Sequence, residues 1–190
     1  GILSSNILTN HKTFNNYDIL SSNMFTNNGT LNFEYDEQHL PISVINKMEG
    51  TGTTNIKGGL VNLADVKQNN INVQNGILSL VDNNTDNRVT ATENFAMSDN
   101  ARLMIDVDLI NHDTDDYSAY LKSDRIIANA ISSATVNVGY ANLLNIPNEF
   151  ASGKIKLFDG DGVNSSLKIN NFAEVVKGDD IYAYIFKQDR

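Results

Sequence analysis

Short stretches of alternating apolar and polar residues occupy most of this chain, and Gly, Asn or Asp residues separate them. Alternation over four to eight residues between turn formers is the pattern of a half-buried β-strand. Residues 124–131 fit either a short helix or another buried strand. Strands are predicted at residues 30–35, 42–47, 52–56, 60–63, 71–73, 77–81, 101–109, 135–138, 154–158, 167–169 and 181–186.

Similar segments recur along the chain at an interval of 17 residues. The segment ILSSNILTN, residues 2–10, returns as ILSSNMFTN at residues 19–27, with seven of nine positions identical. Apolar residues at this interval form three predicted columns, namely Val44, Val61, Leu78 and Phe95, then Leu63, Leu80 and Met97, then Ile56 and Val73. A fixed short period means that each unit buries its apolar face only when a neighbour stacks on it.

The repeat favours a parallel β-helix over a β-sandwich. A sandwich predicts hairpins, and Asn28-Gly29 and Asn75-Gly76 have the sequence of hairpin turns. A hairpin does not, however, explain why sequence repeats at a fixed interval, whereas coiling places equivalent residues one rung apart, about 4.8 Å. We therefore expect one all-β domain over residues 1–190, a β-solenoid that is a fragment of a longer exported protein.

Composition limits the partners. The net charge is −9, which argues against nucleic acid and against an anionic membrane surface, and no apolar run is long enough for direct membrane insertion. Cysteine is absent, which removes disulfides, zinc thiolates and thiol catalysis. The chain has 29 asparagines, which suit turns and which stack into ladders between the rungs of β-helices.

The run from Asn100 to Leu109, followed by Thr114 to Tyr117, resembles a unit of bacterial autotransporter (type V secretion) passenger domains. The segment 84–99 is similar to the rung that precedes that unit, and the resemblance covers about residues 30 to 160. It implies a right-handed parallel β-helix, exported and displayed outside the cell or at the bacterial cell surface, with an adhesin-like role.

Two groups of acidic residues are candidate calcium ligands. In the sharper group, Asp82, Asn84, Asp86 and Glu93 fall at positions 1, 3, 5 and 12 of an EF-hand-like loop. The alternative there is a polar rung corner, since no flanking helices are predicted. The second group follows or lies within one strand, where alternation predicts an outward, solvated face. Its members are Asp106, Asp108, Asp113, Asp115 and Asp116.

No catalytic signature or cofactor-binding motif appears, and the three histidines lack metal-site spacing. Tyr182 and Tyr184 alternate with apolar residues and so share one strand face, which is a candidate contact surface or ordinary packing. We expect a non-catalytic extracellular module that acts in adhesion or as a structural spacer, with a host or matrix protein, a glycan or another copy of itself as partner. The alternatives are a secreted, self-assembling filament subunit and a polysaccharide-acting enzyme, for which Asp106 and Asp108 supply a carboxylate pair.

Overall fold

The computed structural model describes residues 1–34, 41–114, 119–133, 135–150, 152–160, 167–170, 173–177 and 180–186, and no helix occurs among them. The side chains of the last two ranges lie outside the description. The strands are β1 Ile2–Asn10, β2 Thr13–Asn16, β3 Ile19–Asn27, β4 Thr30–Phe33, β5 Ile42–Glu49, β6 Thr53–Ile56, β7 Leu60–Val73, β8 Gly76–Ser79, β9 Arg88–Met97, β10 Ala101–Thr114, β11 Ala119–Ser123, β12 Arg125–Ala128, β13 Thr135–Leu144, β14 Ser152–Asp159, β15 Lys168–Asn170, β16 Ala173–Lys177 and β17 Asp180–Phe186.

The strands form a parallel stack in which the chain returns repeatedly to the same register. β1 pairs in parallel with β3, and β3 with β5; β2 pairs with β4, and β4 with β6. We call each stretch that completes one such return a rung, so that β1 and β2 form the first rung and β3 and β4 the second. The prediction of an all-β chain with parallel strands is confirmed.

The spacing between rungs is uneven. Asn10 and Asn27 are stacked neighbours 17 residues apart, whereas Asn32 and Asn55 are stacked at an interval of 23. In the second half the interval is longer still, with 36 residues between Asp106 of β10 and its register partner on β13. The predicted 17-residue period therefore holds for only some of the rungs.

The apolar core lies inside the stack, and residues in register form its columns. Val61 pairs with Leu78 as predicted, and Leu78 continues onto Leu103. The prediction that Val44 and Phe95 share this column is wrong. Val44 pairs with Asn62, and Phe95 pairs with Ile71, because intervals of 18 and 24 residues shift the register.

The remaining predicted columns differ in outcome. Ile56 pairs with Val73 as predicted, and Met97 continues that column. The pairing of β7 with β8 keeps the 17-residue interval that separates Leu63 from Leu80, but Met97 pairs with Val73, so Met97 does not belong to the predicted column of Leu63 and Leu80. Residues 124–131 contain a strand, β12, rather than a helix.

Asparagine side chains form hydrogen-bonded ladders outside the core. Asn72 donates to Asn55, Asn55 to Asn32 and Asn32 to Asn15, with N···O distances of 2.9, 2.9 and 2.8 Å. A second ladder joins Asn46 to Asn23 and Asn23 to Asn6, each at 2.7 Å. The expected Asn ladders are thus present, and each one ties consecutive rungs in register.

A buried side-chain amide, that of Gln68, lies at one turn of the stack. Gln68 is fully buried, and its Nε2 donates to the carbonyl oxygens of Asn27 and Glu49, both at 3.1 Å. Its Oε1 accepts from Asn27 Nδ2 at 2.7 Å and from Thr54 Oγ1 at 3.2 Å. The side chain of Gln68 therefore joins backbone groups of two neighbouring rungs next to the turn at Gly50.

The second half adds antiparallel pairs to the parallel stack. β10 and β11 are antiparallel, with an irregular register between Val107 and His112. β17 pairs antiparallel with both β14 and β16. The last described strands therefore include antiparallel pairs, whereas the strands of the first rung pair only in parallel among the described residues.

Candidate functional site

Two buried carboxylates lie side by side where β10 meets the start of β12. Asp106 and Asp124 both have no solvent exposure. The backbone N–H of Asp106 donates to Asp124 Oδ2 at 2.7 Å, and the backbone N–H of Asp124 donates to the carbonyl oxygen of Asp106 at 3.1 Å. This reciprocal contact makes the two acids one cluster, which we call the acid pair.

Asp106 holds the loop between β8 and β9 against the stack. Its Oδ2 accepts from the backbone N–H groups of Asp82 and Asn84, at 2.8 and 3.3 Å. Its Oδ1 accepts from Asn142 Nδ2 at 2.6 Å, and Asn142 is its register partner on β13. Both carboxylate oxygens are therefore engaged by protein donors.

Asp124 holds the end of the same loop. Its Oδ1 accepts from the backbone N–H of Asn87 at 3.2 Å. Burial raises the pKa of Asp124 to about 8, and the nearby Asp106 carboxylate adds to the increase. Negative charges on two adjacent buried carboxyl groups repel each other, so Asp124 is protonated at neutral pH.

Asp108 caps the irregular end of β10. Its Oδ1 accepts from the backbone N–H groups of Ile110 and Asn111, at 2.9 and 3.0 Å, and its Oδ2 accepts from the side chains of Asn111 and Asn145. Burial acts to raise the pKa of Asp108, but these hydrogen bonds outweigh burial and hold it below the ordinary value. The carboxylate has a structural role in the turn.

The prediction that Asp106 and Asp108 lie on a solvated face is wrong. Ile105, Val107 and Leu109 belong to the core, so strand alternation does turn the two acids to the opposite face. That face is covered, because the loop after β8 folds over Asp106 and Asn145 contacts Asp108. Asp113 is partly exposed, and Asp115 and Asp116 lie outside the described residues.

Two arginines accompany the acid pair. Arg88 Nη1 donates to the carbonyl oxygens of Thr85, Asn87 and Ser123, at 2.9 to 3.1 Å. Burial, with the nearby Arg125, lowers the pKa of Arg88. Two of these bonds fix carbonyl groups of the loop whose N–H groups the two aspartates fix, and the third joins the loop to Ser123 at the end of β11.

Arg125 lies near the exposed edge of the same region. Its nitrogens lie 3.9 Å from Asp113 Oδ2 and 3.7 Å from Asp159 Oδ2. Its guanidinium carbon and the Lys156 ammonium each lie 5.3 Å from the centre of the Tyr120 ring. This arrangement places cations on an aromatic ring that is itself almost fully buried.

The residues of the predicted calcium loop are only partly brought together. Asp82 and Asn84 act as local caps, accepting from the backbone N–H groups of Asn84 and Asp86 at 2.9 and 2.8 Å. Glu93 lies five residues into the extended strand β9, on the order of 15 Å beyond Arg88, and it accepts from the side chain of Asn70. No group of three or more acids and histidines that could hold a metal is present in the part of the chain that the structure describes. Calcium binding stays a prediction, which a calcium titration followed by calorimetry tests.

The predicted tyrosine surface lies on a described strand whose side chains are not described. Tyr182 and Tyr184 belong to β17, and their backbones stand opposite Lys156 and Lys154 of β14. Their possible role in contacts therefore stays a prediction.

An outward-facing aliphatic column, which sequence reasoning missed, crosses five rungs. Ile2 pairs with Ile19, Ile42 with Leu60, and Leu60 with Ile77. Ile19 and Ile42 are stacked as well, because each lies two residues before a member of the register pair Ser21 and Val44. The exposed fraction is 72% for Ile2 and 55% for Ile42. The recurring Ile at the start of each repeat was the signal that could have revealed this column.

A shallow groove of about 390 Å³ runs beside the aliphatic column. Its floor needs glycine, because Gly59 and Gly76 have φ of +72° and +79°, and a Cβ on Gly76 would lie 2.5 Å from the carbonyl oxygen of Gly59. Ile42, Leu60 and Ile77 line its side. The groove and the column together form one apolar surface.

A second concave surface, of about 540 Å³, lies between β10, β11 and β14. Its lining includes the polar residues His112, Glu149 and Lys154 and the aromatic residues Tyr120 and Phe150. The acid pair does not line this cleft, so the two buried carboxylates and the concave surface are separate features.

No protein-family model, no curated protein and no solved structure matches this chain. Within the described ranges, no helix has the length and apolarity needed to cross a membrane.

Proposed function

We propose that this chain is a right-handed parallel β-helix of the autotransporter passenger type, which acts in adhesion or as a structural spacer at the bacterial cell surface. The hydrogen bonds of the acid pair are the observation that supports a non-catalytic function. Each of its oxygens accepts hydrogen bonds from the loop, from a neighbouring strand or from its partner acid. Carboxylates held in this way stabilise a loop and have no open side toward a substrate.

The parallel stack supports the spacer part of the proposal. Rungs tied by inward apolar columns and by outer Asn ladders form a stack that lengthens with each added rung. Such a body holds a binding surface at a distance from its anchor.

The aliphatic column is the surface best suited to adhesion. Exposed apolar side chains in a continuous row are unusual on a soluble protein and mark contact sites. Ile42 lies at the centre of the column, and the glycine-floored groove beside it lets an extended partner approach the backbone.

Binding to a panel of matrix proteins and glycans, measured by surface plasmon resonance, tests the proposal. Ile42→Ser should weaken any binding by tenfold or more, because a central exposed apolar residue is lost. Ile110→Ser is the matched control, since Ile110 is 52% exposed and lies outside the column. Equal effects of the two variants would contradict a role for the column.

A polysaccharide-acting enzyme has less support. Its carboxylates would have to flank a substrate, and Asp106 instead lies under a loop. Release of reducing sugar from a polysaccharide panel that is lost in Asp106→Asn, while the folded state is retained, would replace the adhesion proposal with the enzyme.

A further inference from the structure

A small pocket of about 140 Å³ lies where β5 and β7 meet the loop after β8. Its lining combines the polar side chains of Asn46, Asn62 and Asp82 with the apolar side chains of Val44 and Val81. One water molecule needs roughly 10–15 Å³ of such a space. The pocket is therefore large enough to admit a ligand group.

One of the Asn ladders ends at this pocket. Asn46 donates to the Oδ1 of Asn23, and Asn23 donates to the Oδ1 of Asn6, so each amide presents its own oxygen to the following rung. In the following rung the register position opposite Asn46 is Ala64, between the pairs Ile45–Leu63 and Lys47–Asp65. Ala64 has no amide, and no other donor reaches the Oδ1 of Asn46 within the described part of the chain. The ladder thus leaves an open acceptor at the pocket.

Asn62 supplies the complementary group. Its side chain makes no hydrogen bond among the described residues, and because its Oδ1 is buried, its Nδ2 is the amide atom open to a ligand. Its register neighbours are Val44, which has no polar side chain, and Ser79, whose Oγ accepts from a backbone N–H. Positions 62 and 64 share one face of β7 and lie about 7 Å apart, so the open donor lies beside the gap in the ladder.

The pocket therefore offers one acceptor and one donor next to an apolar wall. A carboxamide complements both polar groups, because its N–H can donate to Asn46 Oδ1 while its carbonyl accepts from Asn62 Nδ2. Val44 and Val81 suit a methyl group on the carbonyl carbon. The Asp82 carboxylate uses its Oδ1 to accept from a backbone N–H, which leaves its Oδ2 for a hydroxyl donor. An acetamido group on a hydroxylated ring has all of these features.

We propose that this pocket binds the acetamido group of an N-acetylated amino sugar in the gap of the Asn ladder. The acetamido N–H and C=O take the place of the amide that Ala64 lacks, and the methyl group packs on Val44 and Val81. This inference goes beyond the adhesion proposal and does not rest on it, because it uses a different surface from the aliphatic column.

NMR titration of the isotope-labelled full chain with methyl N-acetyl-β-D-glucosaminide tests the proposal. The side-chain amide signals of Asn46 and Asn62 should shift saturably. Methyl β-D-glucoside is the matched probe, because it has the same ring without the acetamido group. This second probe should leave the two amide signals in place.

Protein variants test the ladder gap itself. Ala64→Asn should weaken binding at least tenfold, because the new side chain fills the gap and donates to Asn46. Asn62→Leu keeps a side chain of similar size without the amide, and it should weaken binding about tenfold. Asn72→Ala is the matched control, because it removes an amide of the other ladder and lies outside the pocket. This control should bind like the parent chain.

Three results would overturn the proposal. The first is the absence of a saturable shift with the glucosaminide or an equal shift with the glucoside. The second is unchanged binding in both Ala64→Asn and Asn62→Leu. The third is a stronger response to acetamide, the analogue of an Asn side chain, than to the sugar, which would favour a polypeptide partner. Ile42→Ser should leave binding of the sugar unchanged, so this proposal and the adhesion proposal fail separately.

Discussion

Removal of the Asp106 carboxylate should destabilise the protein without affecting any surface interaction. Asp106→Ala removes the acceptor of three partly buried hydrogen bonds, two from the backbone N–H groups of Asp82 and Asn84 and one from the side chain of Asn142. Each hydrogen bond of this kind contributes about 0.5–3 kcal/mol to stability. Water can replace some of these partly buried bonds, so we expect a net loss of about 3 kcal/mol in the free energy of unfolding.

Equilibrium urea unfolding, followed by far-ultraviolet circular dichroism, measures this loss. Asp65→Ala is the control, because Asp65 lies exposed on β7 and its removal should change the free energy of unfolding by less than about 0.5 kcal/mol. The loss of stability in Asp106→Asn should fall between the losses in Asp106→Ala and Asp65→Ala, since the Asn amide keeps one oxygen acceptor. Hydrogen exchange adds a local readout, in which the amides of Asp82 and Asn84 should lose protection in the Asp106→Ala variant.

A result within about 0.5 kcal/mol of the control would refute the reasoning. It would mean that the loop is held by other contacts and that the carboxylates are retained for another purpose. Catalysis would then regain support as an explanation of the acid pair.

Three further predictions concern the core, the ladder and pH. Leu78→Asp should abolish cooperative unfolding at 25 °C, because it places a charge in the buried column between Val61 and Leu103; a parent-like thermal melt would disprove the column. Asn55→Ala removes two ladder bonds and should cost about 1–2 kcal/mol in urea unfolding, and no measurable loss would show that the ladder is energetically neutral. Because the pKa of Asp124 is about 8 in the folded state and about 3.9 in an unfolded chain, the folded state binds the extra proton between these values. Its contribution to stability is therefore fully present below about pH 4 and is lost as the pH rises to 8, by up to about 1.4 kcal/mol per pH unit. Asp124→Asn should flatten that slope, and an unchanged slope would assign it to other groups.

The sequence repeat predicted the parallel stacking because its most similar segments are joined by turns of equal length. β1 and β3 are nearly identical in sequence and stack at the 17-residue interval. Between the second and third rungs the segment after Phe33 lengthens the interval to 23 residues, and the Asn register is preserved while the period is lost. Register is set by inward apolar side chains and outer amides, whereas the period also depends on turns that sequence alone does not fix.

The acid pair shows a different limit of sequence reasoning. Alternation correctly turned Asp106 away from the core, but a strand pattern says nothing about what covers its outer face. The covering loop comes from residues more than 20 positions earlier, and Asp124 comes from 18 positions later. Gln68 was missed for the same reason, because its partner Asn27 lies 41 residues away.

Disulfide cross-linking most directly tests the uneven parallel stack. The described residues contain no cysteine, and the full sequence has none, so each engineered pair reports on one distance. Asn32 and Asn55 are register partners, with Cα atoms about 4.8 Å apart, which suits a disulfide. The double variant Asn32→Cys, Asn55→Cys should therefore oxidise rapidly in the folded state, and the control Asn32→Cys, Glu49→Cys, which follows a strict 17-residue period, should not. Rapid oxidation of the control pair without oxidation of the first would contradict the stack described here.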